Sequence, residues 1–293
     1  MIAGVRRWAL LAPSLAIIAL FVLAPLGFMA FVSTLDRGPQ GTVVWDRHSL
    51  DAYVQFLFER DLMGHMTLNT DYLRIFSRSI LLAGLTTVLT LLIGFPTALW
   101  MAFQPPRRRG LLVFIVTVPF WTNLLVRNFS WILLLRDGGV IDTSLRKLGL
   151  TNGPIEVLYT PFATAIGLTY SFLPYMILPI YVSLEKLDRR LIEAAFDLGA
   201  DRWRALTRII LPLATPGIVA GAILVFMPGL GAFISPELLG GAKSMMIGNL
   251  IQEQFGQSRN WPFGAALAFV LLALVLLALW LHALRFRREG AGP

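Results

Sequence analysis

The sequence contains no cysteine, and it has only three histidines in 293 residues. The absence of cysteine excludes a disulfide framework and a thiolate metal site. The histidines, His48, His65 and His282, lie far apart in the sequence, so a histidine-based metal site is not expected. We therefore predict no metal site and no cofactor held by this chain.

Motifs for catalysis and nucleotide binding are also missing. The sequence has no GxxxxGK[ST] phosphate-binding loop, no HExxH motif and no Ser/His/Asp order typical of a hydrolase. A membrane-embedded enzyme would also need a cluster of His, Asp or Glu inside the apolar blocks, and none is present. We predict that the chain is not an enzyme and that any ATP it depends on is bound and hydrolysed by a partner subunit.

Charged residues are scarce, at 14% of the chain, whereas 56% of the residues are hydrophobic. This balance is too apolar for a soluble domain of this size. Because the apolar blocks are evenly spread, we predict one membrane domain over 1–293. The net charge of +8 is compatible with nucleic acid. The basic residues flank apolar blocks, however, so the charge indicates membrane topology and contact with anionic lipid, with no nucleic-acid partner.

Six apolar blocks predict six membrane-spanning helices. Each block reaches the roughly 20 residues that cross about 30 Å of hydrocarbon, and every backbone amide in lipid must be satisfied within its own segment. The predicted fold class is therefore all-α integral membrane. The predicted spans are 8–32, 79–103, 111–135, 161–183, 209–235 and 263–284.

The distribution of Lys and Arg predicts the orientation. With six spans, the basic clusters at 6–7, 107–109, 184–208 and 285–288 all fall on one side, which is the cytoplasm. Both termini are then cytoplasmic, and the long loop 33–77 is external. Within that loop, Ser49 and the apolar spacing that follows predict a short helix, which either lies on the membrane surface or contacts an external receptor.

The polar stretch 188–212 carries clear helix signals. Asp188 is a predicted N-cap, and Gly199 ends the helix because glycine readily adopts positive φ. Asp201 caps a second helix, which Pro212 bends on its way back into the apolar region. From these signals alone, the stretch could be an ordinary amphipathic connector.

The order of residues in this stretch resembles the EAA loop of binding-protein-dependent ABC importer permeases. The matching positions are Glu193, Ala194, Ala195, Gly199, Ile209, Leu211 and Pro212. The resemblance implies a coupling helix in the loop 184–208 that docks on a cytoplasmic ATPase. It implies an ATPase contact by Glu193, Ala194, Ala195, Asp197 and Gly199.

Three longer stretches, 134–142, 170–200 and 236–266, resemble the spermidine/putrescine permeases of the PotB type. This resemblance implies the type I ABC importer permease architecture in a prokaryotic inner (plasma) membrane. It also implies polyamine import, with a cytoplasmic ABC ATPase dimer, a second permease subunit and an external solute-binding protein as partners. The alternative is a permease of the same class for another solute, such as iron, sulfate, thiamine or an opine-like compound.

Five residues are predicted to line a translocation path, and four of them also have a simpler explanation. Asn123 and Arg127 lie in the third predicted span, where Arg127 either faces the path or extends to the interface. Pro228 marks either a gate or an ordinary kink. Glu237 is a carboxylate at a pore mouth or a solvated loop acid, and Tyr170 faces a cationic solute or belongs to an aromatic belt.

Overall fold

The structure is a computed structural model that describes residues 2–38, 41–60, 66–151, 153–241 and 244–289. These ranges are mostly helical. The chain divides into two compact units, one formed by Met1–Leu73 with Leu250–Pro293 and the other by Arg74–Asn249. The prediction that 1–293 is a single permease domain stays a prediction.

The first unit is built on two long apolar helices, α1 and α12, which pack against each other. Between them the chain forms two antiparallel two-stranded ribbons, β1–β2 and β3–β4. The ribbons were not expected in an all-α protein. The predicted short helix is confirmed as α2, and Ser49 Oγ accepts a hydrogen bond from Asp51 N at 2.9 Å. The elements are α1 (Ile2–Ser33), β1 (Leu35–Arg37), β2 (Val43–His48), α2 (Asp51–Leu57), β3 (Phe58–Arg60), β4 (Met66–Leu68) and α12 (Trp261–Glu289).

The second unit holds most of the remaining helices, and two helices, α3 and α11, continue across its boundaries. Short 3₁₀ or π-helical turns join or follow several of them. The helices are α3 (Thr70–Ala102), α4 (Pro106–Thr117), α5 (Leu124–Leu135), α6 (Val140–Lys147), α7 (Pro161–Glu185), α8 (Arg189–Asp197), α9 (Arg202–Ala205), α10 (Leu211–Leu230) and α11 (Ile247–Phe255). The turns are Val118–Trp121, Leu206–Ile210 and Pro236–Gly240.

Five of the six predicted spans correspond to continuous apolar helices long enough to cross a membrane. The third prediction, one helix over 111–135, is wrong. The chain bends by 89° between Pro106–Trp121 and Leu124–Lys147. The reason is local, because Asn123 has an extended backbone and its side chain accepts a hydrogen bond from Leu125 N at 2.8 Å, which starts α5 as a new helix.

Helices α7 and α10 make the most extensive contact between any two elements. Gly217 of α10 lies against the backbone of α7, where a Cβ atom would come 2.5 Å from Pro179 O and 2.8 Å from Ile180 Cα. Gly221, one turn later, lies against Met176, where a Cβ atom would come 2.8 Å from Sδ and 3.2 Å from Cα. Small residues at this spacing allow two membrane helices to approach closely enough for strong van der Waals packing.

We expect Gly217→Val to loosen the α7–α10 pair, because the added side chain meets backbone atoms that cannot rotate away. Overpacking of this kind costs about 1–3 kcal/mol, and it should lower the thermal unfolding midpoint of the detergent-purified protein. Gly84→Val in α3 is the matched control, since no atom lies within 4 Å of a Cβ placed there. Equal midpoints for the two variants would contradict the close approach.

Candidate functional site

The caps predicted for the loop 184–208 are confirmed. Asp188 accepts a hydrogen bond from Arg190 N at 3.0 Å and begins α8, and Asp201 accepts one from Arg204 N at 2.7 Å and begins α9. Gly199 has φ +81°, and the amides of Gly199 and Ala200 bond back to Phe196 O and Ala195 O. This pair of bonds is a Schellman ending, which satisfies the last carbonyl groups of the helix.

The return into α10 is a wide turn that the sequence prediction described only as a bend. Leu211 N donates to Leu206 O, five residues back. Pro212 follows and has no N–H of its own to donate, so the regular helical ladder cannot run through this point. The loop therefore re-enters the apolar region through Leu206–Ile210 and not through a simple kink at Pro212.

Helix α8 has one buried anchor and a broad exposed face. Ile192 is buried in the core of the second unit. Glu193, Ala194, Asp197 and Gly199 are exposed, and Ala195 is half-buried. Large apolar side chains accompany them, with Leu198 89% exposed and Trp203 70% exposed. An exposed apolar surface rimmed by charged residues is typical of a protein-docking site.

A second candidate site is a cavity of about 220 Å³ inside the second unit. One wall is aromatic, because the rings of Phe120 and Tyr175 meet edge to face at 4.8 Å and Phe172 lies 6.0 Å from Tyr175. Arg127 lines the same cavity. The lining residues are Phe120, Leu124, Arg127, Leu168, Ser171, Phe172, Tyr175, Pro228, Gly231, Ala232, Phe233, Ile234 and Ser235.

The guanidinium group of Arg127 is incompletely satisfied within the described part of the chain. Its Nε and Nη1 atoms are buried and have no hydrogen-bond partner there. Burying such donors without partners costs free energy. These nitrogen atoms are buried, and Arg127 is one of the residues that line the cavity.

The structure brings together two of the five predicted path residues, Arg127 and Pro228, which both line the cavity. Asn123 is exposed and caps α5, and Tyr170 packs edge to face on Trp131 at 5.7 Å. Glu237 is exposed in the turn Pro236–Gly240. These three residues are not among the described residues that line the cavity.

Sequence reasoning missed several of the cavity residues, including Phe120, Phe233 and Ser235. Phe120 lies in the turn between α4 and α5. Its position depends on the bend at this turn, which the predicted continuous span 111–135 did not include. The available signal was Pro119 followed by Asn123, a helix breaker and then a capping residue. Phe233 and Ser235 follow the end of α10 at Leu230, where the predicted span continued to 235.

In the stretch 134–142, Asp142 has a structural role. Asp142 is buried, and its carboxylate accepts hydrogen bonds from Gly138 N at 3.0 Å and Ile155 N at 3.2 Å. Arg146 pairs with it at 2.8 Å and reaches Asp137 at 3.0 Å. Asp142 therefore fixes the loop on both sides of α6. No metal-binding cluster of His, Cys, Asp or Glu occurs in the ranges that the structure describes.

Comparison with known families decides the class of this protein. The family described as binding-protein-dependent transport system inner membrane component matches residues 94–289. The chain belongs to this family. It is a multi-pass inner-membrane permease, a subunit of a transporter and not an enzyme. Its relatives and structural neighbours are importer permeases that work with an ATPase and a binding protein.

Three relatives show how far the similarity extends. The permease is 44% identical over 214 residues to the spermidine/putrescine transport system permease protein PotB of Haemophilus influenzae, covering 73% of this chain and 75% of the relative. It is 41% identical over 232 residues to PotB of Escherichia coli, covering 78% and 84%. It is 33% identical over 282 residues to the Escherichia coli inner membrane ABC transporter permease protein YdcU, covering 89% and 87%.

Solved structures share the fold of the permease. A chain of the bacterial alginate ABC transporter, in complex with an alginate pentasaccharide-bound periplasmic protein, superposes with a TM-score of 0.68 at 20% identity. The superposition covers 93% of this chain and 92% of that chain. The likeness confirms the predicted type I ABC importer permease fold.

We expect Arg127→Met to raise the thermal unfolding midpoint of the detergent-purified permease. The thioether chain fills similar space and removes donors that are buried without partners, each of which costs about 1–3 kcal/mol. Arg136→Met, at the exposed end of α5, is the matched control and should leave the midpoint unchanged. A lower midpoint for Arg127→Met would show that the guanidinium group has a stabilising partner.

Proposed function

We propose that this permease is the membrane-spanning subunit of an ATP-driven importer for polyamines such as spermidine and putrescine. The observation that carries the proposal is the 44% identity to PotB of Haemophilus influenzae over 73% of the chain. The stretches 134–142, 170–200 and 236–266, which resemble this type in sequence, support the same assignment. Its full assembly would contain a second permease subunit, an ABC ATPase dimer and an external solute-binding protein.

The exposed face of α8 is the proposed contact with the ATPase. Glu193, Ala194, Asp197 and Gly199 are accessible on it, and Leu198 and Trp203 add apolar area that a partner would remove from water. Ala195, which is half-buried, lies at the edge of this contact. The positive charge of the loops at 6–7, 107–109, 184–208 and 285–288 supports a cytoplasmic placement of this face and of both termini. ATP would be bound by the partner subunit.

The cavity between α5, α7 and α10 is the proposed part of the solute path. Aromatic faces such as Phe172 and Tyr175 attract an ammonium group. Arg127 acts in the opposite sense, because two like charges 4 Å apart repel by about 4 kcal/mol at an effective dielectric constant of about 20. We therefore propose that the aromatic wall contacts the solute and that Arg127 limits the part of the cavity that a cationic solute occupies. Pro228 would shape the wall of α10.

The remaining predicted path residues receive more distant roles. Glu237 is exposed, and as a carboxylate at the external mouth it would raise the local concentration of a polycation. Asn123 starts α5 and so determines where Arg127 lies. Tyr170 packs on Trp131 and supports the aromatic side of α7.

Solute-stimulated ATP hydrolysis tests this function. The complete complex, reconstituted in lipid with its binding protein, should hydrolyse ATP faster on addition of spermidine or putrescine. Ferric iron, sulfate and thiamine, added singly, should leave the rate at its basal value. Stimulation by one of these three alone would reject the polyamine assignment. The absence of an ATPase from the purified complex would reject the importer.

Gly199 offers a separate test of the coupling helix. A Cβ at this position meets no atom within 4 Å, so a substitution acts only through the positive φ. Gly199→Val should cost about 1–2 kcal/mol, which lowers the ratio of correct to incorrect loop endings about 5- to 30-fold, and uptake should fall. Gly199→Asn is the matched control and should keep most activity, because asparagine adopts this conformation more readily. Equal uptake by the two variants, measured at equal membrane levels, would argue against the role of this turn.

A further inference from the structure

A chain of polar contacts connects the beginning of α4 with the end of α7. Arg109 Nη1 lies 3.7 Å from Glu185 Oε1, and Arg109 Nε donates a hydrogen bond to Gln104 O at 2.9 Å. Arg109 therefore holds both the turn that precedes its own helix and the end of α7.

The position of Glu185 gives these contacts their significance. It is the last residue of α7, and Asp188, which caps α8, follows three residues later. The side chain of Arg109 is only 19% exposed, whereas that of Glu185 is 45% exposed. The pair lies in a crevice beside Leu184 and Leu187, directly at the base of α8.

Beneath the pair, one apolar cluster joins five elements of the second unit. Its buried members come from the end of α3, from α7, from α8, from the turn Leu206–Ile210 and from α10. Apolar contacts are non-directional, so the cluster holds these elements together without specifying which charged groups face one another. An ion pair between groups of opposite charge favours one separation of the two elements, so the Arg109–Glu185 contact adds a specific constraint to this packing. The buried members include Met101, Ala102, Tyr181, Leu184, Ile192 and Ile210.

We propose that Arg109 and Glu185 are positioning residues for energy coupling. They hold the α3–α4 turn against the base of α8, so that a displacement of α8 moves this turn and the end of α7 as one body. The inference rests on the proposed function, because it assigns the route by which movement at the ATPase contact reaches the membrane helices. Arg107 and Arg108 do not share this role, since both side chains are exposed.

The first experiment measures solute taken up per ATP hydrolysed by the complete complex in proteoliposomes. Arg109→Gln and Glu185→Gln should each lower this ratio about two- to fivefold, the range expected of a partly exposed ion pair. ATP hydrolysis should persist, because neither residue lies on the exposed face of α8. Arg108→Gln removes the same charge from the same turn and should leave the ratio unchanged.

The exchange variant Arg109→Glu with Glu185→Arg separates the ion pair from other effects of the two substitutions. It should recover most of the coupling ratio, because the attraction is restored with the charges reversed. Loss of coupling in the single variants without recovery in the exchange variant would overturn the ion pair as the cause. An unchanged ratio in the single variants would overturn the proposal directly.

The absence of natural cysteine in the chain allows a second test that does not depend on charge. In the complete complex, Arg109→Cys with Glu185→Cys should show the reduced ratio, and a short thiol-specific cross-linker should restore it by joining the two elements. Glu185→Cys alone, treated with the same reagent, is the control. A cross-link that blocks uptake would show that the elements separate during transport and would overturn the proposal.

The wild-type complex distinguishes this inference from the proposed function. If no polyamine stimulates its ATP hydrolysis, the assignment of the solute fails before any variant is compared. If the wild-type complex is stimulated and the variants at Arg109 and Glu185 couple normally, the importer stands and only the positioning role fails.

Discussion

The close contact between α7 and α10 is the constraint on which the second unit depends. In a membrane, apolar side chains gain little by leaving lipid for protein, so helix association relies on van der Waals packing at short range. Gly217 and Gly221 allow this short-range packing because they have no side chain, so α10 can approach α7 closely at Pro179 and Met176. The core cluster that receives Ile192 of α8 is built on the same two helices. The aromatic cavity takes part of its wall from α7 and from Pro228 of α10.

The loop 184–208 combines an exposed face with a firm attachment. Caps at Asp188 and Asp201 and the Schellman ending at Gly199 specify its local shape. Ile192 connects it to the core, and the Arg109–Glu185 pair lies at its base. A segment that must transmit movement benefits from this arrangement, because a face that is free to bind is useful only if its displacement reaches the rest of the chain.

Local features of the fold could be predicted from the sequence, and features that depend on distant contacts could not. Five spans and the caps of α8 and α9 follow from apolar length and from Asp and Gly signals, which act within a few residues. The break before α5 was missed because the sequence 111–135 is apolar on both sides of Asn123, where the new helix begins. The ribbons at 35–48 and 58–68 are short and lie in a loop without a strand pattern long enough to detect. Arg127 and Pro228 were found as polar and helix-breaking residues, whereas Phe120 and the partner of Arg109 depend on tertiary packing.

The bend between α4 and α5 limits what can surround this part of the protein. A helix of the length of α5, 12 residues, reaches about 18 Å, well short of the roughly 30 Å of the hydrocarbon layer. At the corner, Thr122 and Asn123 are extended, so some of their backbone polar groups lie outside the helical ladder. Acyl chains cannot hydrogen-bond such groups. The corner therefore excludes acyl chains from its immediate surroundings and must face protein, headgroups or water.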